Sequence, residues 1–421
     1  RVHRAIERVA NSFRARRPLS RVATPRGATS RAMRRLARAR AMLRSAPFAR
    51  AATHATTTFD GVAPGATVAF DSERARVDVV VAPHASATER IEIEIADDAH
   101  DAEFEITRAR GDGGRGEVVL VRDARTGARD GTRAAVRARI PPRFCGVDAR
   151  LRGENSTISV ESVVEAGVKV RTNGGDVELG TIKGSTMDLD TSGGAVRARG
   201  SVSADSRVRT AGGDVTMRGK FVGSVVYVDT EPEGKFHAEA VFGDKVNVNT
   251  GGGDATAKSL RVGEFGLVRT SGGAVSIGSL EGAGEEMIGI DSGGGDVSVK
   301  FAERVHIAHV NSRGGGIDAS FPSGFSPQPH VIGVYRDAIV DDIVQLPSAD
   351  GVEGVKSAPP TARARLVHGS ADEVARKVAA AAEGSFVTLD ASNVADAGIV
   401  RIDTHSWFTS ALAAARASSS R

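Results

Sequence analysis

Cysteine is nearly absent from this chain. Cys145 is the one cysteine in 421 residues, which excludes internal disulfides and any cysteine-based zinc cluster. Stability therefore does not lean on an oxidising compartment. Aromatic residues make up only 4% of the sequence, so a core has to be built from Val, Ile, Leu and Ala. No run of 18 or more apolar residues occurs, which excludes a helical membrane span. Residues 1–50 lack lysine and hold one acid, Glu7, against 15 arginines, a net +14. The remainder carries 41 basic and 51 acidic residues, net −10. The high isoelectric point thus comes from one terminal segment, the acidic body takes most of the force from a nucleic-acid reading, and no nucleic-acid partner is expected.

That terminal segment is rich in Arg, Ala and Ser and poor in acids, the composition of an organellar transit peptide. The run Met33–Arg44 has the pattern of a short basic amphipathic helix, and Phe48–Thr53 that of a processing site. Met33 is a candidate initiator. The expectation is a transit or disordered segment over residues 1–52 and a mitochondrial address, with plastid as the alternative.

What the chain has in abundance is glycine, 49 residues, without the period of three that marks collagen. It is concentrated in one phrase, of which Arg171-Thr172-Asn173-Gly174-Gly175-Asp176-Val177 is typical. Measured from the threonine, copies fall at Gly153 (degenerate), Thr172, Thr191, Thr210, Thr230 (degenerate), Thr250, Thr270, Ser292 and Ser312, spaced 19 to 22 residues apart. A near-constant period of this size signals a solenoid. Two residues before each threonine stands a branched apolar residue, from Val170 to Val310. A second column runs Val177, Val196, Val215, Phe236, Ala255, Val275, Val297, Ile317, and a third, two residues later, from Leu179 to Ala319. Polar residues alternate with them, as in strands with one buried face. The fold class expected is all-β: a single-stranded parallel β-solenoid with coils of about 19–22 residues.

The glycine pairs Gly174-Gly175, Gly193-Gly194, Gly212-Gly213, Gly252-Gly253, Gly272-Gly273 and Gly293-Gly294 read as structural turns, because glycine takes positive φ without strain. The Thr/Ser column reads as a hydroxyl ladder up the stack. The residue before it (Arg171, Asp190, Arg209, Asp229, Asn249, Arg269, Asp291, Asn311) gives a column of alternating charge. Asp176, Asp214, Asp254 and Asp296 are the calcium candidates of a β-roll reading. They recur on alternate coils, about 9.6 Å apart at a strand spacing of about 4.8 Å, too far to share an ion whose ligands sit within about 2.6 Å. Turn-stabilising aspartate fits them better. Gly-Gly followed by a strand is no phosphate loop, which needs a following helix. A carbohydrate-cleaving or carbohydrate-binding β-helix needs aromatic platforms and convergent carboxylates. His306 and His309, three apart in a strand, face opposite sides. No catalytic residue, cofactor or metal site is expected.

Residues 59–146 alternate in short runs and form an N-terminal β-strand region and cap, while 147–321 are the repeats. Residues 322–421 form a small α+β C-terminal cap with a helix over 370–382; Gly398–Thr404 repeats the solenoid grammar, and Trp407-Phe408 begins an amphipathic end segment. The repeated strand-x-Thr-x-Gly-Gly-Asp/Ala-Val phrase, preceded by strands ending at Ala138-Arg139-Ile140-Pro141, resembles the putative-adhesin β-solenoid family of unknown function. That family occurs in bacterial cell-surface or membrane-associated proteins and in organelle-directed eukaryotic relatives. The resemblance covers roughly residues 70–320. It implies a parallel β-solenoid and an adhesin-like label, with no catalytic residues to transfer. The expected function is a non-catalytic scaffold or interaction protein with a protein partner.

Overall fold

The computed structural model describes residues 55–322, apart from 87–88, 98–103, 111–116, 124–132 and 283–286. Beyond residue 322 it describes the segments 328–332, 337–340, 365–367, 386–390 and 399–405. The expected transit segment, the helix over 370–382 and Trp407-Phe408 lie outside the described residues. What is described is all-β, a parallel β-solenoid closed by antiparallel strands at its N-terminal end.

The N-terminal strands are β1 (Ala55–Asp60), β2 (Thr67–Ser72), β3 (Arg76–Pro83), β4 (Arg90–Asp97), β5 (Phe104–Arg110), β6 (Glu117–Asp123), β7 (Arg133–Ile140), β8 (Gly146–Glu154) and β9 (Thr157–Val164). They do not stack in chain order. β2 is parallel to both β6 and β8, and β3 to both β7 and β9. The β2–β3 coil is therefore sandwiched between β6–β7 and β8–β9. β5 runs antiparallel on β6, β4 on β7, and β1 on β4. These antiparallel strands cover the end of the stack, whose bare edge would otherwise template pairing with another chain.

The repeats follow as β10 (Val168–Asn173), β11 (Val177–Asp190), β12 (Val196–Ala198), β13 (Val202–Arg209), β14 (Val215–Asp229), β15 (Phe236–Asn249), β16 (Ala255–Arg269), β17 (Val275–Gly282), β18 (Met287–Asp291), β19 (Val297–Phe301), β20 (Ile307–Asn311) and β21 (Ile317–Pro322). The long strands pass through a bulge, as between Lys183 and Thr186, so each serves two faces of the coil. The aliphatic columns are in register: Val208 pairs with Val228, Val228 with Val248 and Val248 with Val268. A further column, Ile182, Val202, Phe221, Val241, Leu260, Leu280, Phe301, fills the third side of the core. All of its members are buried.

The last strands are β22 (Gln328–Ile332), β23 (Asp337–Val340), β24 (Arg365–Val367), β25 (Phe386–Asp390) and β26 (Ile399–His405). β25 stacks on β20 and β26 on β21. β22 and β23 then stack on β25 and β26, and β24 on β22. The chain leaves the stack after β21 and returns to insert a coil, the same device as at the N-terminus. This corrects the reading of Gly398–Thr404 as a new copy of the phrase. Asp390 pairs with Asn311, so Phe386–Asp390 is the strand before the turn, whereas β26 continues the strand after it.

Candidate functional site

The repeated phrase is an internal device, and its two glycines have different duties. The first takes positive φ, as Gly193 (115°), Gly212 (106°) and Gly272 (124°) do. Ser192, Ala211 and Ser271 before them also have positive φ, so the reversal has the two consecutive left-handed residues of a primed turn. The second glycine has no positive φ; it lies backbone on backbone. A Cβ at Gly194 would sit 2.0 Å from the Gly175 carbonyl oxygen, and one at Gly213 would sit 2.1 Å from that of Gly194. In the copy Gly293-Gly294-Gly295 the first two glycines both take positive φ and the close-packed residue is Gly295, which shifts the pair by one from Gly293-Gly294.

The hydroxyl column is not a ladder from hydroxyl to hydroxyl. Each hydroxyl donates to the carbonyl of the close-packed glycine in its own turn: Thr172 to Gly175 at 2.7 Å, Thr210 to Gly213 at 2.5 Å, and Thr270 to Gly273 at 2.5 Å. These side chains are buried, and the bond satisfies a carbonyl on the tight side of the turn. Ser72 makes the same bond to Ala75 at 2.9 Å. Asp71-Ser72-Glu73-Arg74-Ala75 is thus an earlier copy of the phrase, hidden by its lack of glycine.

The calcium-candidate aspartates clamp one coil to the next. Oδ1 of Asp176 accepts the Ala195 N–H at 2.8 Å, and that of Asp214 the Lys235 N–H at 2.9 Å. Asp254 accepts from Ala274 at 3.1 Å, and Asp296 from Gly316 at 2.8 Å. The residue contacted is the same column one coil further on. The column alternates Asp with Ala, Lys or Gly, so no carboxylate on one coil faces another on the next. Among the described residues no group of three or more His, Cys, Asp and Glu is placed to hold a metal ion. His306 is exposed and His309 half-buried.

The column before the threonine stacks in register from Arg171 to Asn311. Only Arg269 and Asp291 within it approach as an ion pair, at 3.7 Å. One coil earlier, Arg150 stands beside Arg171, a like-charge neighbour. Close ion pairs lie on the face after the turn instead: Arg197–Asp176 at 2.6 Å, Arg199–Glu178 at 2.7 Å, Lys235–Asp254 at 2.8 Å and Lys258–Glu239 at 2.6 Å.

Regularity breaks at the Thr230 coil. Its turn, Glu231-Pro232-Glu233-Gly234, is one residue longer, and Thr230 bonds Gly234 rather than a residue three on. On the strand entering it, the Tyr227 hydroxyl donates to Asp229 Oδ2 at 3.1 Å, and Asp229 Oδ1 accepts the Glu231 N–H at 3.3 Å. The guanidinium carbons of Arg207 and Arg209 lie 5.4 and 5.9 Å from the Tyr227 ring centroid, within cation–π range. Beyond the turn an open concavity of about 500 Å³ is lined by Glu233, Lys235, Gly251, Gly252, Gly253, Asp254, Ser271 and Gly272. Arg207, Tyr227 and Glu231 carry no periodic signal, and Arg209 is one member of the charge column, which is why sequence columns do not single out this cluster.

Two aspartates on successive coils titrate in opposite directions. Burial pushes the Asp229 carboxyl above the ordinary range. The Lys235 ammonium bonded to Asp254 holds that one below it. A raised carboxylate pKa means the ionised form opposes folding at neutral pH, whereas a lowered one means ionisation favours it. Asp229→Asn should therefore raise the melting temperature at pH 7, an advantage that disappears as acid protonates Asp229. Asp254→Asn should lower it at pH 7 and converge with the parent below about pH 4, the ordinary carboxylate value. Melting curves from pH 3 to pH 8 check both signs.

Cys145 is buried, and burial raises its thiol to about 12. Thiolate is the reactive form, so alkylation at pH 7.5 should be negligible in the native protein and stoichiometric in denaturant. Prompt labelling of the folded chain would show that the site opens.

No family model and no curated protein matches this chain. Two solved structures are similar to it at low identity. A putative cell adhesion protein from Clostridium sporogenes shares 6% identity over 84% of this chain and 99% of that one, with a TM-score of 0.18. A putative adhesin from Parabacteroides merdae shares 15% identity over 64% of this chain and 89% of that one, with a TM-score of 0.24. The fold rests on the strand pairings above.

Proposed function

We propose that this protein is a non-catalytic β-solenoid scaffold that holds a protein partner on the face entering the turns, centred on the Thr230 coil. One observation carries this reading. The recurring groups are committed inside the stack, threonine hydroxyls to glycine carbonyls and aspartate oxygens to the next coil, while Tyr227, Arg207 and Arg209 gather without any such duty. Both guanidiniums lie against the Tyr227 ring, which weighs against its use as a sugar platform on this face. A photo-crosslinking residue at Asn247, in register beside Tyr227, should capture a partner in the native cell. The same residue at Thr216, on the face after the turn, should not. Equal capture from both positions would remove this reading.

The arginine-rich, acid-poor residues 1–50 support a mitochondrial address for this scaffold. A mature N-terminus near Arg50–Thr53 on the protein recovered from mitochondria is the expected result. Recovery from another compartment, or a start far from that point, would overturn it.

A further inference from the structure

We infer that Arg207 and Arg209 form a receptor for an extended acidic peptide segment of the partner, with carboxylates two residues apart. This rests on the partner-face reading above and names what the partner must present. Arg207 and Arg209 are alternate residues of β13 and leave the same side of the sheet. Residues two apart in a strand are separated by about 6.6–6.8 Å, and so are alternate side chains of an extended peptide lying along it. Each guanidinium offers a planar fork that matches a carboxylate bidentately.

What marks these two cations among those of the repeats is the Tyr227 ring that both guanidiniums share. Arg197, Arg199, Lys235 and Lys258 are each paired with a carboxylate. Arg207 and Arg209 make no ion pair, although Asp188 and Asp190 stand in register one coil before them and Asp229 one coil after Arg209. Asp229 is tied down by the Tyr227 hydroxyl and the Glu231 N–H. Both guanidiniums lie over the Tyr227 ring, and although Arg209 feels the Asp229 carboxylate, neither spends its donors in an ion pair, so two charges stand side by side. Asp188 and Asp190 bound the site on one side and confine an acidic ligand to the row over Arg207 and Arg209.

Fluorescence anisotropy on the full chain tests this with three synthetic peptides of equal length: Glu-x-Glu, Glu-Glu and Gln-x-Gln. Glu-x-Glu should bind saturably and lose affinity with added salt; Glu-Glu should bind more weakly, and Gln-x-Gln not at all. Arg207→Ala with Arg209→Ala should weaken binding by roughly tenfold or more while leaving the melting temperature near the parent's. Arg207→Lys with Arg209→Lys should restore only part, because lysine keeps the charge and loses the fork. No binding of Glu-x-Glu, or binding undiminished in the alanine variant, would overturn the inference. Equal binding of an oligogalacturonate would show a general polyanion site and overturn the peptide assignment. If the alanine variant loses crosslinking at Asn247 while Glu-x-Glu fails to bind, the partner face stands and this ligand class falls.

Discussion

Gly194→Ala should unfold the central coils, whereas Gly193→Ala, one residue away, should weaken the fold without unfolding it. The two glycines look equivalent in the sequence. At Gly193 the cost is conformational: φ is 115° and nothing lies within 4 Å of an added Cβ, so alanine there should cost on the order of 1–3 kcal/mol. At Gly194 the added methyl would lie 2.0 Å from the Gly175 carbonyl oxygen and 2.4 Å from its carbon. Both are backbone atoms, with no side chain to move aside, so adjoining coils must separate. Each coil of a solenoid contacts only its neighbours, and separating two of them breaks the interface on which the stack depends. A loss of about 4 kcal/mol or more is expected, read as a shift in denaturant midpoint with a shallower transition as the two halves uncouple. Similar losses for both variants would mean the close packing of the glycine column is wrong.

The second large effect is expected in the core. Phe236 occupies a column whose other members are aliphatic, between Val215 and Ala255. Ala238 and Ala257 stand two residues further along the same strands and leave room for the ring. The fit is imperfect, for an apolar cavity of about 10 Å³ lies against Phe236, Ala255, Ala257 and Leu260. Phe236→Ala enlarges an existing void among alanines that cannot close it, so about 3–5 kcal/mol should be lost. Thermal unfolding of the variant measures this. A loss under about 1 kcal/mol would show that neighbouring coils collapse into the gap.

Much of the stack was legible in the sequence because its grammar repeats. A period of about 20 residues, written many times, separates buried columns from exposed ones, and Val170 to Val310 and Val177 to Ile317 are where that pattern puts them. The less legible features are those made between coils. That Gly194 is glycine for lack of room, and that Asp176 bonds Ala195, are contacts across 19 residues, invisible to a single phrase. The Ser72 copy lacks glycine and so lacks the phrase's strongest mark. The stacking of β25 on β20 follows an excursion from Asn311 to Phe386, and the insertion of β2–β3 between later coils breaks chain order altogether. The candidate site was least legible. Arg207 and Tyr227 are the one arginine and the one tyrosine of their column, Arg209 is one of several arginines in its own, and only the register of β13 on β14 brings the three together.

The central claim is that the Thr-x-Gly-Gly-Asp turns are structural and that recognition belongs to the surface of the stack. Calorimetric titration of the full chain with Ca²⁺ to millimolar concentration, paired with thermal melts, tests it most directly. With Oδ1 of Asp176, Asp214, Asp254 and Asp296 already accepting backbone N–H groups, no saturable heat and no change in melting temperature are expected. A saturable heat accompanied by a rise in melting temperature, lost in Asp214→Asn, would contradict it and make the turns ligand loops.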